Sequence, residues 1–376
     1  MKTAGILTTY FASNFGAMLQ PYALKRTLEG LGLDVEIIRY KQLDIWNHYN
    51  PFSLKYLKGY KSKNPVKLLF NLFYSYPLAC VKEVRFRSFS RKFLNKKGGF
   101  EKNWPKDKDY YFIGSDQLWR PQNTGGKFDD VYFGYFDCKQ NAKKISYAVS
   151  GESIEYTDNN VKYLKEALFN FDNLSVREEK LALDLQRVTG MDNIEVVADP
   201  TLLCNPFIFD ELPIDHPCKG KKFVLFYQIR GSHNFINKIY EYSMKKGFEL
   251  VVLSSYVEKK LAVFALKHSH VHYLPCACEN IFLGAMKYAE AVFTPSFHGN
   301  VFAILSHRNL FDIILDDGHD TRTRELLTSL GIEGRFLRVS DEISESPINW
   351  NIVDTRLKEK RDKSMEFVKR ALNITN

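Results

Sequence analysis

Two hydrophobic periods alternate along this chain, and their alternation predicts an α/β protein. AGILTTY (4–10) is a short, nearly continuous apolar run of the kind a buried parallel strand carries. NFGAMLQPYALKRTLEGLG follows, with Met18, Leu19, Tyr22, Ala23 and Leu28 spaced for one face of a helix that Gly30 or Gly32 closes. Pro21 is expected early in that helix, where a missing N–H matters least. DVEIIRY (34–40) reads as a second strand, and further strands are predicted at DYYFIGS (109–115), KKISYAVS (143–150), NLSVRE (173–178) and IEVVADP (194–200). Helices are predicted over 160–170 and over EKLALDLQRV. After a turn-rich stretch at 204–222 the rhythm returns. FVLFYQI, FELVVLSS, EAVFTPS and NLFDIILD are strands; NFINKIYEYSMKKG, ENIFLGAMKYA, GNVFAILSHR and TRELLTSLGI are helices. An amphipathic helix over 353–376 carries Val353, Leu357, Met365, Val368 and Leu372 on one face. The pattern predicts two Rossmann-like, doubly wound α/β domains facing a cleft. They are expected at 1–207, with a helical insertion at about 50–100, and at 208–350; the final helix is 351–376.

Charge changes the picture in one place. The chain carries +9 overall, but residues 55–97 hold twelve Lys or Arg against the single acid Glu83, together with nine aromatics. That insertion reads either as a solvated helical segment with an apolar inner face or as a docking surface for anionic lipid or a lipid-phosphate substrate. No nucleic-acid signature accompanies the charge, so no nucleic-acid partner is expected. No apolar run approaches the roughly 20 residues of a membrane-spanning helix. MKTAGILTTYFASN reads as a strand rather than a secretory leader. Six scattered cysteines fit a reduced cytoplasmic protein, at most peripheral on the inner face of the plasma membrane. Cys276 and Cys278 lack a second ligand pair, and DDGHD (316–320) resembles a metal site by composition only, so no metal is expected.

In open α/β sheets ligands bind beyond the carboxyl ends of strands, so the residues there are the candidates. Asn14 and Gly16 follow the first strand; Asn14 fits an N-cap or a ligand contact. Ser115, Asp116, Gln117 and Trp119 follow DYYFIGS. Such a polar trio with an indole suits a sugar, or else a capped turn over a buried Trp. Arg177 ends another strand and can fork onto a carboxylate or phosphate, or pair with Glu178. Asp199-Pro200 reads as a turn and cap. Arg230 follows FVLFYQI. In TPSFHGN, Ser296 or Phe297 begins the turn, Gly299 lets the backbone come close, and the helix is expected to start near Asn300. Free N–H groups at such a start favour an anion, and His298 beside them can add a hydrogen bond or a proton. Arg322 and Arg324 could converge on the same anion or lie in a solvated loop. GxGxxG, Walker and Gly-x-Ser-x-Gly signatures are absent from the sequence.

Six segments in order, GILTTYFASNFGAMLQ…, FIGSDQLWRP, KKISYAVSG, LSVREE, VVADPTLL and FTPSFHGNVFAI, resemble the polysaccharide pyruvyl transferase family over residues 4 to 335. The resemblance implies a GT-B-like fold whose C-terminal helix packs back on the N-terminal domain. It implies transfer of pyruvate from phosphoenolpyruvate onto two hydroxyls of a sugar, as a cyclic ketal with release of phosphate. The acceptor would belong to a bacterial exopolysaccharide or capsule, or to its lipid-linked precursor. Under that resemblance His298 is the general acid or a phosphate ligand, with Ser296, Gly299, Asn300, Arg177 and Arg230 on the donor side. Asn14, Gln20, Ser115, Gln117 and Trp119 line the acceptor side, with Trp119 stacking on the sugar and Asp116 a base for its hydroxyl. No cofactor is required. Two alternatives stand beside it: a glycosyltransferase using a nucleotide sugar, whose ribose Glu279 or Glu290 would have to hold, and a non-catalytic glycan-binding relative.

Overall fold

The computed structural model describes residues 1–374 except 60, 95–104, 153 and 345, so Tyr60, Lys96 and Lys97 of the basic stretch lie outside the described residues. Two six-stranded sheets, both fully parallel, organise the chain. In the first, β1 (Thr3–Leu7), β2 (Asp34–Ile37), β3 (Tyr110–Ile113), β4 (Lys143–Val149), β5 (Asn173–Val176) and β6 (Ile194–Val196) lie in the order 2-1-3-4-5-6. In the second, β7 (Phe223–Gln228), β8 (Glu249–Ser254), β9 (Val271–Tyr273), β10 (Ala291–Thr294), β11 (Asn309–Ile313) and β12 (Phe336–Leu337) lie in the order 12-11-10-7-8-9. The two Rossmann-like layers expected from the sequence are therefore present. Buried central strands explain their continuous apolar runs, since helices cover both faces.

Strand order fixes where a ligand can sit. The order reverses between β1 and β3 in the first sheet and between β7 and β10 in the second. Loops leaving adjacent strands at such a point diverge to opposite faces and open a crevice. Thr8 to Asn14 and Gly114 to Gln117 leave the first switch point; Ile229 to Gly231 and Pro295 to His298 leave the second.

Three details differ from the sequence expectation. Pro21 is the seventh residue of the helix Phe15–Gly30, well inside it. The helix after β10 begins at Phe297, so His298 lies in its first turn. β9, β12 and the helix Lys259–Lys267 were not anticipated; the two strands are three and two residues long, too short to show a period.

The halves are sewn together by aromatic and polar contacts. Phe15 stacks on Phe282 with centroids 4.4 Å apart and touches Tyr227 and Phe86. Lys82, on the insertion helix Tyr76–Phe89, donates to the carbonyls of Ser254 and Ser255 at 3.3 and 2.7 Å. The helix Trp350–Leu372 returns to the first half: Ser364 Oγ accepts from Ala198 N at 2.8 Å, and Tyr110 Oη donates to Leu372 O at 2.9 Å.

Candidate active site between the two sheets

The first turn of the helix Phe297–Leu305 meets the first turn of the helix Phe15–Gly30 across the junction of the halves. Each start is capped by its own side chain: Ser296 Oγ accepts from Gly299 N at 3.2 Å, and Asn14 Oδ1 accepts from Gly16 N at 2.9 Å. The His298 ring lies directly on Gly16, where a Cβ would stand 2.1 Å from Nδ1. Its other nitrogen, Nε2, is 3.6 Å from Asp199 Oδ2 and makes no hydrogen bond.

Asp199 is the post around which this cluster is built. Its Oδ2 accepts from Arg177 Nη1 and Ser115 Oγ, both at 2.9 Å, and its Oδ1 accepts from Thr201 N and Oγ1. Burial alone would raise its pKa, but His298 and Arg177 outweigh that and hold the carboxyl well below the usual range. Arg177 also pairs with Glu178 at 2.9 Å, and its guanidinium lies 4.4 Å over the Phe297 ring. Arg322 reaches in from the second half, with Nε 3.4 Å from Glu152 Oε2. Burial, and then the nearby Arg177 charge, push its pKa below the usual arginine value.

The polar accounting of this cluster is incomplete for donors and acceptors alike. Arg177 Nη2, His298 Nε2 and Arg322 Nε are buried donors without a hydrogen bond, and Glu178 Oε2 and Glu152 Oε1 are buried acceptors without one. Buried polar atoms are nearly always paired, so such a concentration makes this junction a candidate ligand site. Arg177, Asp199, Phe297 and Arg322 line a cavity of about 460 Å³, and Glu152, Glu178 and Arg322 line a second of about 370 Å³.

A third cavity, of about 440 Å³, opens between the switch points and is lined by Asp116, Gln117, Arg120 and Lys55 from the first half and Arg230 and Tyr256 from the second. Asp116 and Arg230, non-glycine residues at φ 77° and 52°, hold left-handed backbone on its wall. The Asp116 carboxylate accepts from Thr9 Oγ1 at 2.8 Å and from Gln117 N at 2.9 Å. Gln117 donates to Glu152 Oε2 at 2.9 Å, linking this cleft to the cluster. Arg120 donates to Gln117 Oε1 at 3.3 Å, and its Nε is buried without a partner.

Several expected site residues do other work. Trp119 cannot stack on a sugar: it is fully buried, stacked on Phe133 at 5.0 Å, and its indole N–H donates to Tyr132 O. Gln20 is fully buried; its Nε2 donates to Thr8 Oγ1 at 2.7 Å and its Oε1 has no hydrogen bond. Ser115 is likewise fully buried, spending its hydroxyl on Asp199. Asn14 uses its carbonyl oxygen as a cap. Gly299 N–H is taken by Ser296, and Asn300 turns away from the junction, donating to Asp312 Oδ1 at 2.6 Å while its N–H bonds Ser296 O. Arg230 is no free clamp; Asp317 and Asp320 hold it at 2.6 and 2.9 Å. The same pairing, with Asp316 bound to Arg324, consumes the DDGHD acids, and no cluster of three metal-ligating side chains occurs among the described residues. The sequence does not single out Glu152 or Arg120; it marks Asp199 as a turn and cap, and Asp199 does cap the helix Pro200–Leu203, while its bonds to Arg177 and Ser115 come only with the fold. The signal for Asp199 was its place directly after a strand, but only the fold brings His298 to it.

The acids that a nucleotide ribose would need lie outside the cleft. Glu279 is buried beside Lys82, and burial pushes its pKa up to about 8. Glu290 pairs with Lys222 at 3.2 Å, and neither lines the cleft.

Comparison with known proteins bears on the whole chain. A family model described as polysaccharide pyruvyl transferase matches residues 14–311. No curated protein matches the sequence significantly. Among solved structures, the UDP-GlcNAc 2-epimerase of Methanocaldococcus jannaschii is 16% identical, with 97% of this chain and 92% of that chain covered at a TM-score of 0.47. A putative UDP-N-acetylglucosamine 2-epimerase of Listeria monocytogenes is 10% identical, with 100% and 98% covered at 0.49. MurG of Acinetobacter baumannii is 10% identical, with 99% and 100% covered at 0.41.

Proposed function

Since the chain belongs to the polysaccharide pyruvyl transferase family, we propose that it moves pyruvate from phosphoenolpyruvate onto two hydroxyls of a sugar in a bacterial surface polysaccharide or its lipid-linked precursor. The observation that carries this reading is the set of buried polar atoms at the junction that have no hydrogen bond. Three buried donors, Arg177 Nη2, Arg322 Nε and His298 Nε2, stand with two buried acceptors, Glu178 Oε2 and Glu152 Oε1. Phosphoenolpyruvate brings anionic oxygens to the donors, and sugar hydroxyls bring protons to the acceptors.

The chemistry then assigns roles. One sugar hydroxyl adds to C2 of the donor, its proton going to a carboxylate, while C3 takes a proton from the His298 imidazolium. The second hydroxyl then forms its bond to C2 as the C2–O bond to phosphate breaks, its proton leaving on the phosphate, which gives the cyclic ketal and inorganic phosphate; the proton on the carboxylate returns to His298. Asp116 on the cleft wall is the base in this reading, and Glu152 the second carboxylate within the network that Gln117 joins. Arg177 and Arg322 stabilise the charge on the departing phosphate. General acid catalysis of this kind contributes typically about 10²–10⁴-fold, so His298→Ala should lose that much turnover.

The assay is direct. The protein is incubated with phosphoenolpyruvate and candidate lipid-linked glycans, and phosphate release is followed together with the mass gain of one ketal. Both signals should appear together and vanish in His298→Ala. Tight binding of a sugar nucleotide with no turnover of phosphoenolpyruvate on any acceptor overturns the reading. Equal activity and equal phosphoenolpyruvate binding in His298→Ala, measured by calorimetry, removes the role given to His298.

A further inference from the structure

The insertion turns the wrong residues outward for a surface that meets only water. The helix Pro65–Phe70 runs through a widened turn, Asn71–Ser75, into the helix Tyr76–Phe89. On the last of these Lys82 and Glu83 are buried, at 5% and 2% exposure, while their neighbours Val81 and Val84 are 43% and 59% exposed. The inner position of the charges has a structural reason, since Lys82 ties the helix to the second half and Glu83 holds Arg87 at 2.6 Å. The outer position of the apolar side chains has none within the chain. Val66, Leu69, Leu72 and Phe73 are exposed on the helix Pro65–Phe70 and the turn after it, and Val81 and Val84, one helical turn apart, are exposed on the helix Tyr76–Phe89. An isolated exposed Leu is ordinary, but six exposed large apolar side chains on two consecutive helices and the turn between them mark a binding surface.

The charge around these side chains says what they bind. Lys58, Lys61, Lys63, Lys67, Arg91 and Lys92 are exposed and have no carboxylate partner among the described residues. The only acid of the segment, Glu83, faces inward. Apolar side chains bordered by unpaired lysines and arginines are the composition of a helix lying in a membrane interface. No described helix is long and apolar enough to cross a membrane.

We propose that the outer face formed by the helices Leu54–Lys58, Pro65–Phe70 and Tyr76–Phe89 is a docking surface for an anionic lipid bilayer. Leu54, Leu69 and Phe73 insert among the acyl chains, and the lysines meet the headgroup phosphates. Lys55 lines the open cleft while its neighbour Leu54 is 78% exposed, so docking sets the bilayer beside the cleft. This inference stands on exposure and charge and does not depend on the reaction proposed above.

Co-sedimentation with vesicles tests it. Vesicles of equal parts phosphatidylglycerol and phosphatidylcholine should pellet the protein at low salt, and pure phosphatidylcholine should not. High salt should weaken the binding, because surface potentials are screened. Lys63→Glu with Lys67→Glu should reduce the partition at least tenfold, each charge near the surface being worth roughly fivefold. Leu69→Glu with Phe73→Glu should reduce it comparably while leaving the melting curve unchanged, since both side chains are exposed. Lack of binding to the anionic vesicles, equal binding to neutral ones, or variants that pellet like wild type overturns the proposal. So does concentration-dependent dimerisation that the Leu69 and Phe73 substitutions abolish without any vesicle binding, or preferential binding of a labelled oligonucleotide.

Discussion

One short helix, Phe297–Leu305, turns a residue toward each of two buried carboxylates, and the two are opposites. His298 faces Asp199 of the first half; Asn300 faces Asp312 of the second. Asp199 has Arg177 and His298 beside it and stays ionised despite complete burial. Asp312 accepts from a neutral amide at 2.6 Å, and burial pushes its pKa up to about 7. A buried carboxyl bonded to a neutral amide tolerates its proton; one bonded directly to a guanidinium is a fixed negative charge. The charge was placed where the two halves meet, under the histidine. That difference separates the chemical side of the helix start from its structural side.

The comparison breaks most visibly at Asp199. Asp199→Ala should cost about 3–5 kcal/mol of unfolding free energy, because it leaves the Arg177 guanidinium buried with less charge to balance it. Urea denaturation measures this directly. A cost below 1 kcal/mol would mean that Glu178 suffices for Arg177 and that Asp199 is no post.

Asp312 should respond in the other sense and only with pH. Between about pH 4 and 7 the folded state holds a proton on Asp312 that the unfolded chain has released, so stability falls as pH rises through that window. Asp312→Asn keeps an oxygen for Asn300 and removes the titration. It should flatten the fall and gain on the order of 2–4 kcal/mol at pH 8 relative to pH 4. Melting temperatures of both proteins across this range decide it; parallel curves would place the Asp312 carboxyl in its ordinary range.

Gly16 tests the contact on which His298 rests. A methyl group there would stand 2.1 Å from the imidazole, so Gly16→Ala should cost about 1–3 kcal/mol by overpacking and displace the ring. In a His298→Ala background the space is free, and the same change should cost almost nothing. Equal costs in the two backgrounds would show that Gly16 answers to something other than the histidine.

Much of this architecture was legible from periodicity, because buried parallel strands announce themselves as apolar runs such as FVLFYQ and AVFT. Strand order was not legible, and it is strand order that opens the crevices. The candidate residues were legible as positions, since each stood after a strand. Their partners were not. Asp199 and His298 are 99 residues apart in the chain, and no local pattern joins them. Trp119 reads in the sequence as a ring for a sugar to stack on, and only its burial against Phe133 shows that the face is already covered. Gly16 was marked by its motif, but its purpose, room for a ring from the other half, is a long-range fact.

Asn14 gives the smallest effect and the finest discrimination. Its side-chain oxygen accepts from Gly16 N at 2.9 Å and Ala17 N at 3.4 Å, as Ser296 does for Gly299 at the facing helix. If capping is its whole task, Asn14→Ser preserves it, with a stability change of only about a few tenths of a kcal/mol. Asn14→Ala removes the cap and should cost about 1 kcal/mol. Turnover and the KM for the sugar acceptor should then be unchanged in Asn14→Ser, because a serine supplies the cap; it does not reproduce the amide's reach. A rise in that KM at unchanged stability would return Asn14 to the acceptor side, and would make the first helix start a chemical partner of the second rather than the space into which His298 fits.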